Sequence, residues 1–211
     1  MTLAVEQLSL GEIGTNCYLV RADLAAAAAV VVDPGAAAAE IRLSLARSGA
    51  TCAAILLTHS HFDHFGALAD LAEGTGAPVW LPEAELDVFR RPTDFYPGFP
   101  TRAFAGEATL LGGGETVEAA GISFQVRHVP GHSPGHLSYY ADGCLFSGDV
   151  LFAGSVGRTD LPFGDWQVLL ESIRCLAEAY PPETIVYSGH GPATTLRDEL
   201  AGNPFLADLR A

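Results

Sequence analysis

The sequence predicts an α/β protein of four layers, an αββα sandwich, and three observations carry that expectation. The chain has 211 residues, which at roughly 150 residues per domain suits one domain over 1–211. Apolar residues make up 49% of it and charged residues 17%, enough to fill a sizeable core. Each half runs strands first and helix later, an order that lets two sheets pack face to face with helices outside.

The elements follow in order. Leu3 to Leu10, Cys17 to Arg21 and Ala28 to Val32 read as short strands closed by Asp33-Pro34-Gly35. A helix then runs to about Ser48, where Gly49 stops it. Ala53 to Leu57 is a buried strand by length and composition, and Asp63 to Gly74 carries Phe65, Leu68, Leu71 and Ala72 at helical spacing. Arg90 to Gly106 reads as a long loop with scattered aromatics (Phe95, Tyr96, Phe99, Phe104) placed to cover a substrate or to anchor the loop. Strands recur at Glu115 to Ala119, Ile122 to Val129, Leu137 to Tyr140 and Cys144 to Phe146. An amphipathic helix from Asp165 to Ala179 precedes a last strand, Thr184 to Tyr187.

Charge narrows the function classes. Eleven basic residues, all arginine, against 25 acidic ones give a formal net charge of −14, which argues against nucleic acid and anionic lipid as partners and for a small ligand. Cys17, Cys52, Cys144 and Cys175 stand far apart with no CxxC pair and read as reduced thiols. The N-terminus has no basic cluster ahead of an apolar stretch, and the run Leu24 to Val32 is half of a membrane span. A soluble, cytoplasmic protein is expected.

The chemistry concentrates at Thr58-His59-Ser60-His61-Phe62-Asp63-His64, three imidazoles and a carboxylate directly after a buried strand. In extended chain His59 and His61 project to the same side, while Asp63 and His64 open the next helix. Imidazole and carboxylate suit zinc, iron or manganese. Three further turns share this placement: Pro130-Gly131-His132, Ser147-Gly148-Asp149 and Ser188-Gly189-His190 each follow an apolar strand. Strand ends on one edge collect sites, so the four turns can meet. Five histidines and two aspartates exceed one tetrahedral metal and suit two, sharing a carboxylate.

These residues resemble the metallo-β-lactamase superfamily over nearly the whole chain. The resemblance implies that His59, His61 and His132 hold one metal, that Asp63, His64 and His190 hold a second, and that Asp149 bridges them. Within the superfamily, Thr15-Asn16-Cys17-Tyr18-Leu19-Val20, Ser155-Val156-Gly157-Arg158-Thr159-Asp160 and Gly189-His190-Gly191-Pro192 through Asn203-Pro204-Phe205-Leu206 look like the short glyoxalase II-like hydrolases. The implied cofactors are two divalent ions, zinc first and iron or manganese as alternatives. The implied substrate is a small anionic thioester, S-lactoylglutathione or a similar hydroxyacyl thioester. Two such ions less Asp63, Asp149 and a hydroxide leave a site of about +1 inside an acidic chain, so an anion can enter.

Asp63 is expected to orient the attacking hydroxide and accept its proton. Arg158 matches a basic residue that contacts glutathione in that subfamily, with pairing to Asp160 as the plain alternative. Asp33 and His136 are expected to support metal ligands from behind, Asp33 reading equally well as a turn cap. Only 21 residues follow His190, and Gly191-Pro192 stands where full-length glyoxalase II enzymes carry an acidic residue and a tyrosine; the resemblance therefore implies no C-terminal helical glutathione-binding domain. The runner-up is a persulfide dioxygenase, which shares Gly157-Arg158-Thr159-Asp160 and uses one iron on the equivalents of His59, His132 and Asp149. Lactone or other ester hydrolysis on the same metal core is a further alternative.

Overall fold

The computed structural model describes residues 2–99 and 101–209, the side chain of Asp208 excepted. The first sheet opens with β1 (Ala4–Leu10), β2 (Thr15–Arg21) and β3 (Ala28–Val32), paired antiparallel in chain order. Then α1 (Ala38–Arg47) crosses to β4 (Thr51–Leu56), which pairs parallel to β3. The helices α2 (Phe62–Phe65) and α3 (Leu68–Thr75) lead to β5 (Val79–Pro82). After α4 (Leu86–Arg90) and α5 (Pro92–Phe95), β6 (Thr109–Leu111) closes that edge.

The second sheet is built from β7 (Thr116–Ala119), β8 (Ile122–His128), β9 (Leu137–Ala141) and β10 (Cys144–Gly148), all antiparallel. A small hairpin, β11 (Leu151–Phe152) with β12 (Ser155–Val156), and α6 (Trp166–Ala179) follow. Next β13 (Ile185–Ser188) adds parallel to β10, and β14 (Thr194–Thr195) caps the edge before α7 (Leu196–Gly202).

Side-chain alternation turns these strands into layers. Leu19, Val31 and Ile55 point to one side, where they pack with Ile41 and Leu45 of α1 and Leu68 and Leu71 of α3. Their neighbours Tyr18, Val20, Val30, Val32 and Leu56 point to the other, against Phe124, Val126, Tyr139 and Phe146 of the second sheet. Leu145 and Val186 face outward onto Leu169, Ile173 and Leu176 of α6. Three apolar interiors separating helix, sheet, sheet and helix give the expected αββα sandwich.

Local chemistry explains the helices and one departure. Asp165 caps α6, its carboxylate accepting from the Val168 N–H at 3.0 Å, and α1 buries Ile41, Ser44 and Leu45 along one stripe. The single helix expected over Asp63 to Gly74 is two, interrupted at Gly66 and Ala67. Pro34 supplies the reason: its carbonyl accepts from the Ala67 N–H at 3.0 Å, and a Cβ on Gly66 would lie 2.4 Å from the Gly35 carbonyl oxygen. The Asp33-Pro34-Gly35 turn is thus pressed against the segment that carries Asp63 and His64. The loop expected over Arg90 to Gly106 contains a helical turn, α5, and is pinned by Phe104, 4% exposed in the helix-side core. Strands β5, β6 and β14 and helix α7 are short and weakly patterned, and the sequence alone does not mark them. Cys17, Cys52, Cys144 and Cys175 are free thiols, and no helix among the described residues is long and apolar enough to cross a membrane.

Candidate metal centre

Four turns at one edge of the two sheets converge. The loop after β4 carries His59 and His61, and α2 carries Asp63 and His64 in its only full turn. His132 stands between β8 and β9, Asp149 directly after β10, and His190 directly after β13. Ligand atoms of His59, His61, His132 and Asp149 all lie within 4.8 Å of one another, as do those of Asp63, His64 and His190. Asp149 borders both groups: its carboxylate oxygens lie 3.5 Å from His132 Nε2, 3.3 Å from His64 Nε2 and 3.5 Å from His190 Nε2. All seven residues that the resemblance implied as ligands are thereby brought to one place.

Hydrogen bonds behind the rings fix which nitrogen faces inward. Asp33 is buried and accepts from the Thr58 N–H at 2.8 Å and the Thr58 hydroxyl at 2.7 Å. Having given its only proton to Asp33, the Thr58 oxygen can only accept from His59 Nδ1, 3.0 Å away. Asp33 also receives His64 Nδ1 at 2.9 Å. The Arg158 carbonyl accepts from His132 Nδ1 at 2.8 Å. In the neutral form of all three rings, the form that a metal ligand must take, Nε2 carries a lone pair turned to the centre. His61 presents Nδ1 instead, 3.0 Å from His59 Nε2 and 2.7 Å from His132 Nε2.

That geometry is the test of fit for a metal. Nitrogen lone pairs at such separations repel unless a proton or a cation lies among them, and His64 Nε2 and Asp149 Oδ1 are buried without a hydrogen-bond partner. Oxygen and imidazole donors around two adjoining points suit divalent ions. The turn that carries His190 approaches closely enough to require glycine: a Cβ on Gly189 would fall 2.0 Å from Asp149 Oδ1 and 2.5 Å from the His64 ring.

Protonation divides the two groups. Burial, reinforced by the neighbouring imidazoles, pushes His61 down to about 3 and His59 well below the usual histidine range. Burial also lowers His132, so these three rings are neutral and ready to ligate. Burial opposes ionisation of Asp149, yet His64, His190 and His132 outweigh it and hold the carboxyl well below its ordinary value. Asp63 is held at about 2: burial raises it, and His190, His64 and Thr15 lower it further. Hydrogen bonding to Asp149 and Asp63 pushes His190 up to about 9. His64 is raised as well, Asp149 and Asp33 overcoming its burial.

The remaining expected residues take these places. His136 lies outside the candidate ligand groups; its Nε2 accepts from the Asp149 N–H at 3.1 Å, and its ring stacks on His59 at 4.6 Å. Arg158 is exposed, its guanidinium held by Asp160 at 2.7 and 2.8 Å, while its carbonyl orients His132.

Several contributors were missed in the sequence. Glu85, 4% exposed, accepts from the Ser60 N–H at 2.6 Å and the Gly135 N–H at 2.8 Å, tying together the loops that carry His59 and His132. Thr15 donates to Asp63 Oδ2 at 2.6 Å. Asn16 donates to the Ser188 and Gly191 carbonyls, both at 2.9 Å, and Tyr18 donates to Ser188 at 2.5 Å. The Thr15-Asn16-Cys17-Tyr18 stretch therefore fastens the His190 turn to β2. Thr15, Asn16 and Tyr18 are good donors, a signal present in the sequence, while Cys17 turns into the core; nothing local marks Glu85.

Comparison with known proteins agrees with this arrangement. The family model described as the metallo-beta-lactamase superfamily matches residues 10–190. The hydroxyacylglutathione hydrolase GloC of Haemophilus influenzae is 35% identical over 206 residues, covering 90% of this chain and 92% of that protein. The crystal structure of the BLEG-1 B3 metallo-beta-lactamase superposes with a TM-score of 0.89 at 41% identity, covering 97% of this chain and all of that one. The structure of TTHA1623 in a di-iron-bound form superposes with a TM-score of 0.85 at 39% identity, covering 95% of this chain and all of that one.

Proposed function

The chain belongs to the metallo-beta-lactamase superfamily, and from that premise we propose that it is a hydrolase with a two-metal centre that cleaves a thioester, S-lactoylglutathione or a similar hydroxyacyl thioester. The observation that carries the reading is Asp149, whose carboxylate stands between a neutral three-histidine group and the Asp63, His64 and His190 group. The name of the Haemophilus relative supports the substrate class.

His59, His61 and His132 would hold one ion, Asp63, His64 and His190 the other, and Asp149 both. When bound, a pair of divalent ions lowers the pKa of a water ligand to roughly 7 and polarises the carbonyl under attack. Zinc is proposed, with iron next because the TTHA1623 structure contains two irons. The protein supplies the rest. Asp33 and Thr58 keep His59 and His64 in the ligating tautomer, and Thr15 steadies the Asp63 carboxylate. Asp63 orients the attacking water and takes its proton, a role open to a carboxylate that remains ionised at neutral pH. The released thiol needs little help, being a good leaving group. We place the enzyme in the cytoplasm, acting on a small anionic substrate that Arg158 is free to meet if it leaves Asp160.

Elemental analysis of purified protein coupled to a thioester hydrolysis assay tests the proposal. Two metal equivalents per chain with thiol release are expected. One iron per chain and oxygen consumption with glutathione persulfide would replace hydrolysis by dioxygenase chemistry.

A further inference from the structure

A cavity of about 910 Å3 opens beside the metal-centre residues, between the β1–β2 turn, the start of α1 and the α2–α3 segment, within the size range of small-molecule sites. Asp63 lines it and also belongs to the second group of candidate ligands, so the cavity adjoins the centre at that residue. Four consecutive alanines, Ala36 to Ala39, form one wall and leave the volume unfilled. Phe62 and Phe99, ring centroids 4.1 Å apart, form another. Two apolar side chains of the lining stand in solvent, Ile13 at 56% and Phe99 at 47% exposure, and would be covered by an apolar occupant. The floor is rigid, since a Cβ on Gly35 would lie 1.7 Å from the Asp63 carbonyl oxygen.

Charge around the cavity selects against an anion. With Asp63 assigned to the metal centre, Glu12, Asp70 and Glu73 line it against one lining cation, Arg42. Arg102 pairs with Asp70 and Glu73 and still leaves acid in excess. We propose that this cavity takes the acyl arm of the thioester and that the arm is a neutral, apolar chain of several carbons. The inference rests on the thioesterase reading but puts an apolar acyl chain in place of the short hydroxyacyl group: water adds to the acyl carbon, the C–S bond breaks, and the products are an apolar carboxylate and a thiol.

The test is kcat/KM of the metal-loaded protein for acetyl, butanoyl, hexanoyl and octanoyl thioesters of one thiol. About a threefold to fourfold gain per methylene entering the cavity is expected, with an adipoyl thioester slower than the hexanoyl one. Ala39→Phe, at an exposed position of the first turn of α1, should bring the octanoyl-to-acetyl ratio towards one. A flat series in the wild type, or a ratio unmoved by Ala39→Phe, overturns the proposal. Calorimetric binding of inert S-octyl and S-methyl thioethers of the same thiol separates it from the parent reading. Tighter octyl binding without turnover of any thioester keeps the cavity's occupant and removes the thioesterase, whereas equal binding with turnover does the reverse.

Discussion

At the scale of single residues, the centre depends on a few side chains that hold the candidate ligands from behind. Asp33 accepts three hydrogen bonds, two from Thr58 and one from His64, and so sets the tautomer of one ring in each ligand group. Asp33→Ala strands buried donors, at about 1–3 kcal/mol for each, and releases both rings. Metal affinity should fall about 10- to 100-fold, read by titration against a competing chelator; unchanged affinity would mean the rings are oriented by their own packing. Asp63 is a different case, because it lies among the ligands and is also the proposed proton acceptor. Asp63→Asn retains shape and an oxygen donor but cannot take a proton at neutral pH. In protein shown by analysis to hold two metals, turnover should drop by about 10²- to 10⁴-fold, and undiminished turnover would reject the role.

At the scale of elements, Glu85 joins two of the four converging turns through the Ser60 and Gly135 N–H groups. Glu85→Ala should cost about 2–4 kcal/mol, since two buried donors lose their acceptor, while Glu85→Gln, keeping one acceptor oxygen, should lie between it and the wild type in a denaturant midpoint series. A common midpoint for all three would show that water replaces the carboxylate freely. Glu85 also marks the limit of what the sequence discloses. Strands β3, β8 and β13 were legible to within a residue or two because their apolar patterns are local, and so were the turns after them. The break in the helix at Gly66 was not, because it is imposed by Pro34 and Gly35 from thirty residues away. Nor were β5 and β6, whose three or four residues owe their conformation to the sheet edge they join. Candidate ligands declare themselves by residue type, whereas Thr15, Thr58 and Glu85 are ordinary residues made functional by contact.

At the scale of the whole molecule, three apolar interiors hold the sandwich together away from the centre, so loss of metal should loosen one edge and leave the layers standing. Metal binding adds RT ln(1 + [L]/Kd), about 4 kcal/mol at free metal a thousandfold above Kd. For a chain of this length that corresponds to roughly 8–16 °C in Tm. The increment should depend on pH with a definite sign. Without metal, His190 carries a proton held by Asp149 and Asp63, its pKa raised from 6.5 to about 9. A raised folded pKa stabilises the metal-free fold below 6.5, and that stabilisation is lost as pH rises through about 9. Metal uptake must expel the same proton, so affinity climbs over this window. The metal-free Tm should therefore decline from about pH 6.5 to about pH 8.5, while its separation from the loaded Tm widens. Scanning calorimetry of loaded and chelated protein at both ends measures this directly, with far-ultraviolet dichroism reporting retention of the sheets. A separation that narrows with rising pH would mean that no proton on His190 competes with metal for the carboxylates.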